Sequence, residues 1–325
     1  MLISVRHYRK SPVGKFWFGN QKAADGRLFL SEQTMLSMKT NLTLLLCFII
    51  ASGCTVQHDS MNAILWIQTS AEYQSNSEMV FNVAGSRLSL LRDKQDVTAD
   101  IDQAKSFGCS AGTSCPGLAA AALIPAVVLD VDETVLDNSV FGARLIKNGG
   151  QWKPGAWDDW VSEKSAIPVP GALAFVERAR AEGVAVIYVT NRRCSVREGT
   201  SESSSNKPCP QKLDTLENLV TAGYPPLASV DLLILQGERP EWDSSEKQPR
   251  RQHIAERYRI MMLIGDDLGD LASNIKKTSV EERARFVSAH QSLLGEYWFQ
   301  LTNPAYGSWR GALNGKPAQD YLRLN

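Results

Sequence analysis

Four short runs of consecutive apolar residues fix what this chain can fold into. They are "AVVLD" ending at Asp130, "VAVIYVT" ending at Thr190, "DLLIL" ending at Leu235 and "IMMLIGD" ending at Asp266. Each is too short for a buried helix and too uniformly apolar for a strand with one wet face, so each reads as a strand buried on both sides. Helical stretches lie between them: "GALAFVERARAEG" from Gly171 to Gly183, which closes on a glycine, then "QKLDTLENLVTAG" and "QPRRQHIAERY". This alternation predicts an α/β fold, a doubly wound (Rossmann-like) parallel sheet with helices on both faces. Upstream, residues 61–105 place Ile64, Leu65, Ile67, Leu88, Leu90 and Leu91 at helical spacing and predict one or two amphipathic helices.

The first part of the chain reads as an address rather than as fold. From Met38 the sequence runs "MKTNLTLLLCFIIASGCTVQ": Lys39, an apolar run from Leu42 to Ala51, the small residues Ser52 and Gly53, then Cys54. That is a secretory signal peptide, too short to span a bilayer permanently. The Cys after small residues resembles a bacterial lipobox, with Ala51 where Leu is commoner, so Cys54 is expected to be lipidated; the alternative is an ordinary signal with an incidental Cys. Residues 1–37 are expected to be a mis-called upstream extension, or else an extended n-region. From Cys54 onward the chain has 28 basic and 33 acidic residues, a net of −5, and no basic patch that would suit nucleic acid. Cys109, Cys115, Cys194 and Cys209 then remain, an even number in an exported chain, and predict the local disulfides Cys109–Cys115 and Cys194–Cys209. A zinc site is the rival, weakened by the absence of a C-x-x-C pair and by only three histidines, His58, His253 and His290.

Three of the four strands end on residues that can do chemistry: Asp130, Thr190 with Asn191, and Asp266. Ligands of open α/β sheets bind beyond the carboxyl ends of the strands, which is where these residues fall. In "PAVVLDVDETVLDNSV", Asp130 and Asp132 stand two apart beyond a buried strand, a costly arrangement unless a cation compensates it. Oxygen donors with no nearby His point to a hard ion such as Mg²⁺. Such an ion beside a carboxylate lets a nucleophile approach phosphorus, because it offsets the phosphate's charge.

The combination of "DVDETVLDN", "VTNR", a downstream Lys in "SSEKQPRR" and "GDDLGD" resembles the haloacid dehalogenase superfamily, and within it the bacterial class C acid phosphatases, lipoprotein 5′-nucleotidases of the outer membrane. The likeness runs from about Asn62 to "NPAYGSWRG". It implies Asp130 as the nucleophile that becomes an aspartyl-phosphate, and Asp132 as general acid and then base, its carbonyl a Mg²⁺ ligand. It implies Thr190 and Asn191 on the phosphoryl oxygens, Lys247 as the compensating cation, and Asp266 as the third Mg²⁺ ligand beside Asp130 and Asp132. Asp267, where the family often has Asn, and Asp270 would support the loop. Trp157 and Tyr306 match aromatics that sandwich a nucleobase or nicotinamide ring.

The chain between Asp137 and Pro168 is too long for a simple turn and is expected to form a small helical cap over the site (138–168), with residues 54–107 as an N-terminal helical part of one phosphatase domain spanning 54–325. Within the cap Trp160 is expected to pack, while Trp152 is divided between packing and substrate contact. Thr134 and Asp137 are expected to shape the turn after the strand, and Arg250 and Arg251 to lie on a solvated helix face. The implied activity is Mg²⁺-dependent hydrolysis of small phosphomonoesters, nucleoside 5′-monophosphates and NMN among them, outside the cytoplasm. The lipid would anchor the chain to the outer membrane, facing periplasm or exterior, with a homodimer an option. The alternatives are a phosphatase for sugar or aryl phosphates and a non-catalytic surface-binding lipoprotein.

Overall fold

The computed structural model describes residues 60–197, 208–315 and 317–324. The signal segment, the extension before it and Cys54 lie outside the described residues. In chain order, helices α1 (Met61–Thr69), α2 (Ala71–Asp93), α3 (Ile101–Ser106) and α4 (Pro116–Ala120) precede strand β1 (Ile124–Leu129). Then come β2 (Leu136–Asp137), α5 (Ser139–Lys147), α6 (Pro154–Glu163), β3 (Ile167–Pro168), α7 (Ala172–Ala181) and β4 (Ala185–Arg193). The remainder is α8 (Pro210–Thr221), β5 (Leu233–Gln236), α9 (Gln248–Ala255), β6 (Tyr258–Gly265), α10 (Leu268–Leu271), α11 (Val280–Ala289), β7 (Trp298–Gln300) and α12 (Ser308–Gly311). No helix among the described residues is long and apolar enough to cross a membrane.

The sheet has five parallel strands in the order β5-β4-β1-β6-β7. The four predicted strands are all present and the α/β expectation holds; β7 was not anticipated. Both faces of the sheet are covered, as the unbroken apolar runs required. From β1, Val127 and Leu129 pack with Leu88, Phe175 and Val176 on one side. Ala126 and Val128 pack with Ile254, Leu271 and Trp298 on the other. Starting at β1, the chain winds outward through β4 to β5, then returns to the far side of β1 for β6 and β7. The reversal beside β1 opens a crevice at the carboxyl ends of β1, β4 and β6.

The N-terminal part forms three helices before α4, not one or two. Ser70 breaks the pattern by leaving the helical conformation and accepting from the Tyr73 amide at 3.0 Å, so that it caps α2. The long α2 then lies close against the start of α7. At Gly171 (φ +84°) a side chain would sit 3.1 Å from the Glu78 backbone, so glycine there serves both the turn and the approach. The expected insertion forms α5 and α6, and its two ends are joined by the antiparallel β2–β3 pair, Leu136 opposite Pro168 and Asp137 opposite Ile167. Disulfides link Cys109 with Cys115 and Cys194 with Cys209, the two predicted pairs.

Candidate active site

β1 continues its ladder one residue past its end, where the Asp130 amide donates to the Ile264 carbonyl at 3.0 Å. The chain then turns sharply. Val131 O accepts from the amides of Val135 and Leu136 at 2.9 and 2.8 Å, and Glu133 sits at φ +56°, a conformation side chains other than glycine rarely adopt. Asp137 helps to shape the exit, its Oδ1 accepting from the Ser139 amide at 2.7 Å. Thr134 does more than shape the turn, donating its hydroxyl to Asp266 Oδ1 at 3.2 Å.

Around Asp130 the structure gathers three carboxylates. Oxygens of Asp130, Asp266 and Asp270 lie within 4.8 Å of one another. Lys247, the residue before α9, reaches into this group with Nζ 2.6 Å from Asp130 Oδ1 and 2.7 Å from Asp270 Oδ1. At Asp130 that contact acts more through charge than through hydrogen bonding. Burial, opposed by Lys247 and reinforced by Asp270 and Asp132, pushes the Asp130 carboxyl up to about 7. Burial, with repulsion from Asp270 and Asp130, also raises Asp266 well above the usual carboxylate range. Burial alone would depress Lys247, but Asp130 and Asp270 outweigh it and hold the ammonium above its ordinary value. Three desolvated carboxylates against one lysine leave an excess of negative charge on oxygen donors only, a donor set that fits a hard divalent cation.

Asp132 takes a different route. Arg192 grips it with Nε to Oδ1 at 3.0 Å and to Oδ2 at 3.3 Å, and Nη2 to Oδ1 at 2.8 Å. Asn138 Nδ2 adds a bond to Oδ1 at 2.9 Å. Thr190, fully buried within β4, donates its hydroxyl to Asp132 Oδ2 at 3.3 Å. The sequence-derived residues Asp130, Asp132, Thr190, Lys247 and Asp266 therefore surround one crevice. Asn191 joins them indirectly: its Oδ1 accepts from Arg250 Nη2 at 2.7 Å.

Arg250 and Arg251 overturn the solvated-face expectation, since both are buried. Arg250 Nη1 donates to the Thr190 carbonyl at 2.6 Å, and burial lowers its guanidinium to about 10. Arg251 pairs with Asp100 at 2.7 Å and donates to the Asp270 carbonyl at 3.2 Å. Asp270 was expected to support its loop, and it caps the Asp267 amide at 3.0 Å, but its other oxygen lies 2.7 Å from Lys247 Nζ. Asp267 points the opposite way. Burial works against its charge, but donors from Gly269, the Ser308 amide and the Ser308 hydroxyl outweigh burial and hold the carboxyl below its usual range. Those donors accommodate an ionised Asp at this position.

The aromatics flank this centre. Trp157 on α6 is half-buried, edge-on to Phe141 with centroids 5.1 Å apart, and the Arg192 guanidinium lies 5.9 Å from its ring centroid. Trp160 is buried and donates to Asn138 Oδ1 at 2.8 Å, so its packing role holds with a polar tip attached. Trp152 is exposed. Tyr306 is 44% exposed, and its loop is tied to the site through Asn303, which donates to Asp266 Oδ2 at 2.9 Å and accepts from the Ala305 and Tyr306 amides. Sequence reasoning missed Arg192, Arg250, Asn138 and Asn303, and it missed the full part of Asp270. Strand alternation puts Arg192 on the face of Thr190, and helical spacing puts Arg250 one turn from Lys247; those two signals were available.

The described folds with which this arrangement compares are phosphatases. The class C acid phosphatase from Bacillus anthracis is 28% identical, with a TM-score of 0.61 over 81% of this chain and 96% of that one. The same enzyme with tungstate bound is 27% identical, with a TM-score of 0.62 over 83% of this chain and 99% of that one. The family model described as "HAD superfamily, subfamily IIIB (Acid phosphatase)" matches residues 117–309, from the helix before β1 through the loop that carries Tyr306. That span contains every strand and the whole acidic centre, and by it the chain belongs to the subfamily IIIB acid phosphatases of the HAD superfamily.

Proposed function

We propose that this acid phosphatase is a Mg²⁺-dependent 5′-nucleotidase, hydrolysing nucleoside 5′-monophosphates and similar small esters through an aspartyl-phosphate on Asp130. The observation that carries the reading is the separation of two neighbouring carboxylates onto different cations, Asp130 on Lys247 and Asp132 on Arg192. One is thereby left to attack and the other to move a proton.

On this reading an Asp130 oxygen attacks phosphorus. The new O–P bond forms as the bond to the ester oxygen breaks, and Asp132 delivers a proton to that departing oxygen. Asp132 then takes a proton from water, whose oxygen attacks the aspartyl-phosphate and restores Asp130. Thr190 and Asn191 hold phosphoryl oxygens, and Lys247 offsets charge gathering on them and on Asp130. Asp130, Asp266 and the Asp132 carbonyl would hold Mg²⁺, with Asp270 alongside. When bound, the ion neutralises the carboxylates and the phosphate together and so permits their approach. Trp157 and Tyr306 offer flat faces to a base, which favours nucleotides without choosing among bases. Upstream, the proposed anchor is a lipid on Cys54 that places the enzyme in the outer membrane; mass spectrometry of the mature N-terminus tests it, and an unmodified Cys54 would refute it.

The deciding experiment measures phosphate release from 5′-AMP, NMN and p-nitrophenyl phosphate, with and without Mg²⁺, in the wild type and in Asp130→Asn. Mg²⁺-dependent release from the nucleotides that the substitution abolishes is the expected result. Undiminished turnover by Asp130→Asn would sink the mechanism.

A further inference from the structure

We propose that Arg192 is the positioning residue of the reaction: it aims Asp132 at the leaving oxygen and leaves Oδ2 as the oxygen that carries the proton. This rests on the reading of Asp132 as proton donor.

The Arg192 side chain is only 1% exposed. A guanidinium so buried needs its partners fixed, and each of its three nitrogens has one. Nε and Nη2 fork onto Asp132 at 3.0 and 2.8 Å, while Nη1 donates to Thr215 Oγ1 at 3.1 Å. Thr215 is itself buried and anchored on α8, its hydroxyl donating to the Gln211 carbonyl at 2.7 Å. The plane of the fork is thus set by a helix of the core and not by the carboxylate it grips. The Arg192 amide also donates to Thr190 Oγ1 at 3.0 Å, so one residue orients both the threonine and Asp132.

The two oxygens of Asp132 are unequally occupied. Oδ1 receives Nε, Nη2 and Asn138 Nδ2, all at 3.0 Å or less. Oδ2 has only the long contacts to Nε and Thr190 Oγ1, both at 3.3 Å. Oδ1 is saturated with donors and has no room for a proton, which leaves Oδ2 to exchange it. The fork also connects the donor to the cap. Trp157 faces the guanidinium, and Trp160 holds Asn138, the other donor to Oδ1. A base stacked on Trp157 would press on the group that aims Asp132.

Leaving-group dependence tests this, because a misaimed proton donor matters only when the departing oxygen needs a proton. The value of kcat/KM, which reports events up to leaving-group departure, is measured for 5′-AMP, whose alkoxide leaves poorly, and for p-nitrophenyl phosphate, whose phenolate needs no proton. Asp132→Asn is the reference and is expected to lose far more activity on 5′-AMP. Arg192→Met should reproduce that pattern, with a loss of about 10- to 100-fold on 5′-AMP and only a few-fold on the aryl ester. Arg192→Lys, with a charge but no fork, should recover little. Thr215→Val keeps the arginine and frees its plane, and so serves if Arg192→Met does not fold; the same skew in weaker form is expected. Equal losses on both substrates in the Arg192 and Thr215 variants, with the skew intact in Asp132→Asn, overturn the positioning role alone. Absence of the skew in Asp132→Asn overturns the proton-donor reading and the inference with it.

Discussion

Removing the Asp130 carboxylate should make the metal-free protein more stable. Asp130, Asp266 and Asp270 crowd within 4.8 Å with Lys247 as their shared cation, and burial pushes the Asp130 carboxyl from 3.8 up to about 7. A carboxyl so raised favours the folded state only while it holds its proton. Its cost is absent below the unfolded value near 4, grows as pH rises, and is complete above about 7. Spread over that interval, it amounts to at most about 4 kcal/mol. Asp130→Asn deletes the charge and also its attraction to Lys247, but Lys247 keeps Asp270 at 2.7 Å. A net gain of roughly 1–3 kcal/mol at pH 8 is the expected result, with activity lost, as for other strained sites. The assay is urea unfolding of EDTA-treated wild type and variant, followed by tryptophan fluorescence at pH 4.5 and pH 8. The gap should nearly close at pH 4.5, and saturating Mg²⁺ should reverse its sign at pH 8 by stabilising the wild type more. A variant less stable than wild type at pH 8, by the same margin as at pH 4.5, would refute the claim that these carboxylates repel one another in the folded protein.

Three further outcomes follow from particular contacts. A methyl group at Gly265 would overlap the Asp270 side chain, so Gly265→Ala should displace that carboxylate from Lys247 and lower kcat by about 10- to 100-fold in a phosphate-release assay, with the fold retained by circular dichroism. Asp158 on α6 is held below the usual carboxylate range by hydrogen bonds from Arg197, which also binds Asp214 of α8, so the pair ties cap to core. A depressed carboxyl stabilises above its unfolded value near 4 and ceases to as pH falls through its folded one; Asp158→Asn should therefore cost less than about 1 kcal/mol at pH 6, seen as a Tm lower by about 2 °C, and nothing below pH 3. Tyr306→Ala should raise KM for 5′-AMP roughly tenfold and leave KM for glycerol 2-phosphate, which has no ring to stack, unchanged.

What could be read from the sequence was whatever depends on local pattern. β1, β4, β5 and β6 were visible because strands buried on both faces are apolar at every position. β7 was not, since "WFQ" is three residues long and becomes a strand only through its partners Leu263 to Gly265. In the site, Asp130, Thr190 and Asp266 were readable because they close the apolar runs, and Lys247 only through the family resemblance, as a lysine downstream of them. The buried arginines were not. An arginine's default is water, and only its distant partners reverse that: Asp132 lies 60 positions from Arg192, Thr190 lies 60 from Arg250, and Asp100 lies 151 from Arg251. A single sequence states the residue but not the partner.

The choice of cation follows the work each carboxylate is proposed to do. Asp130 and Asp132 leave the same strand two residues apart and would face each other's charge if one cation served both. The nucleophile's charge changes partners during the reaction, from Lys247 to phosphorus and back, and a compact ammonium on a flexible stem can follow it. The proton donor needs direction more than charge, because a proton crosses to the leaving oxygen only along a short, well-aligned path. A planar fork fixed by Thr215 supplies direction and an ammonium does not. Exchanging the two cations, Lys247→Arg with Arg192→Lys, would keep the total charge of the pocket and place each kind of donor where the other is needed. If net charge were all that mattered, that double variant would keep much of its activity; if the division of labour is right, it should be no more active than Asp132→Asn on 5′-AMP.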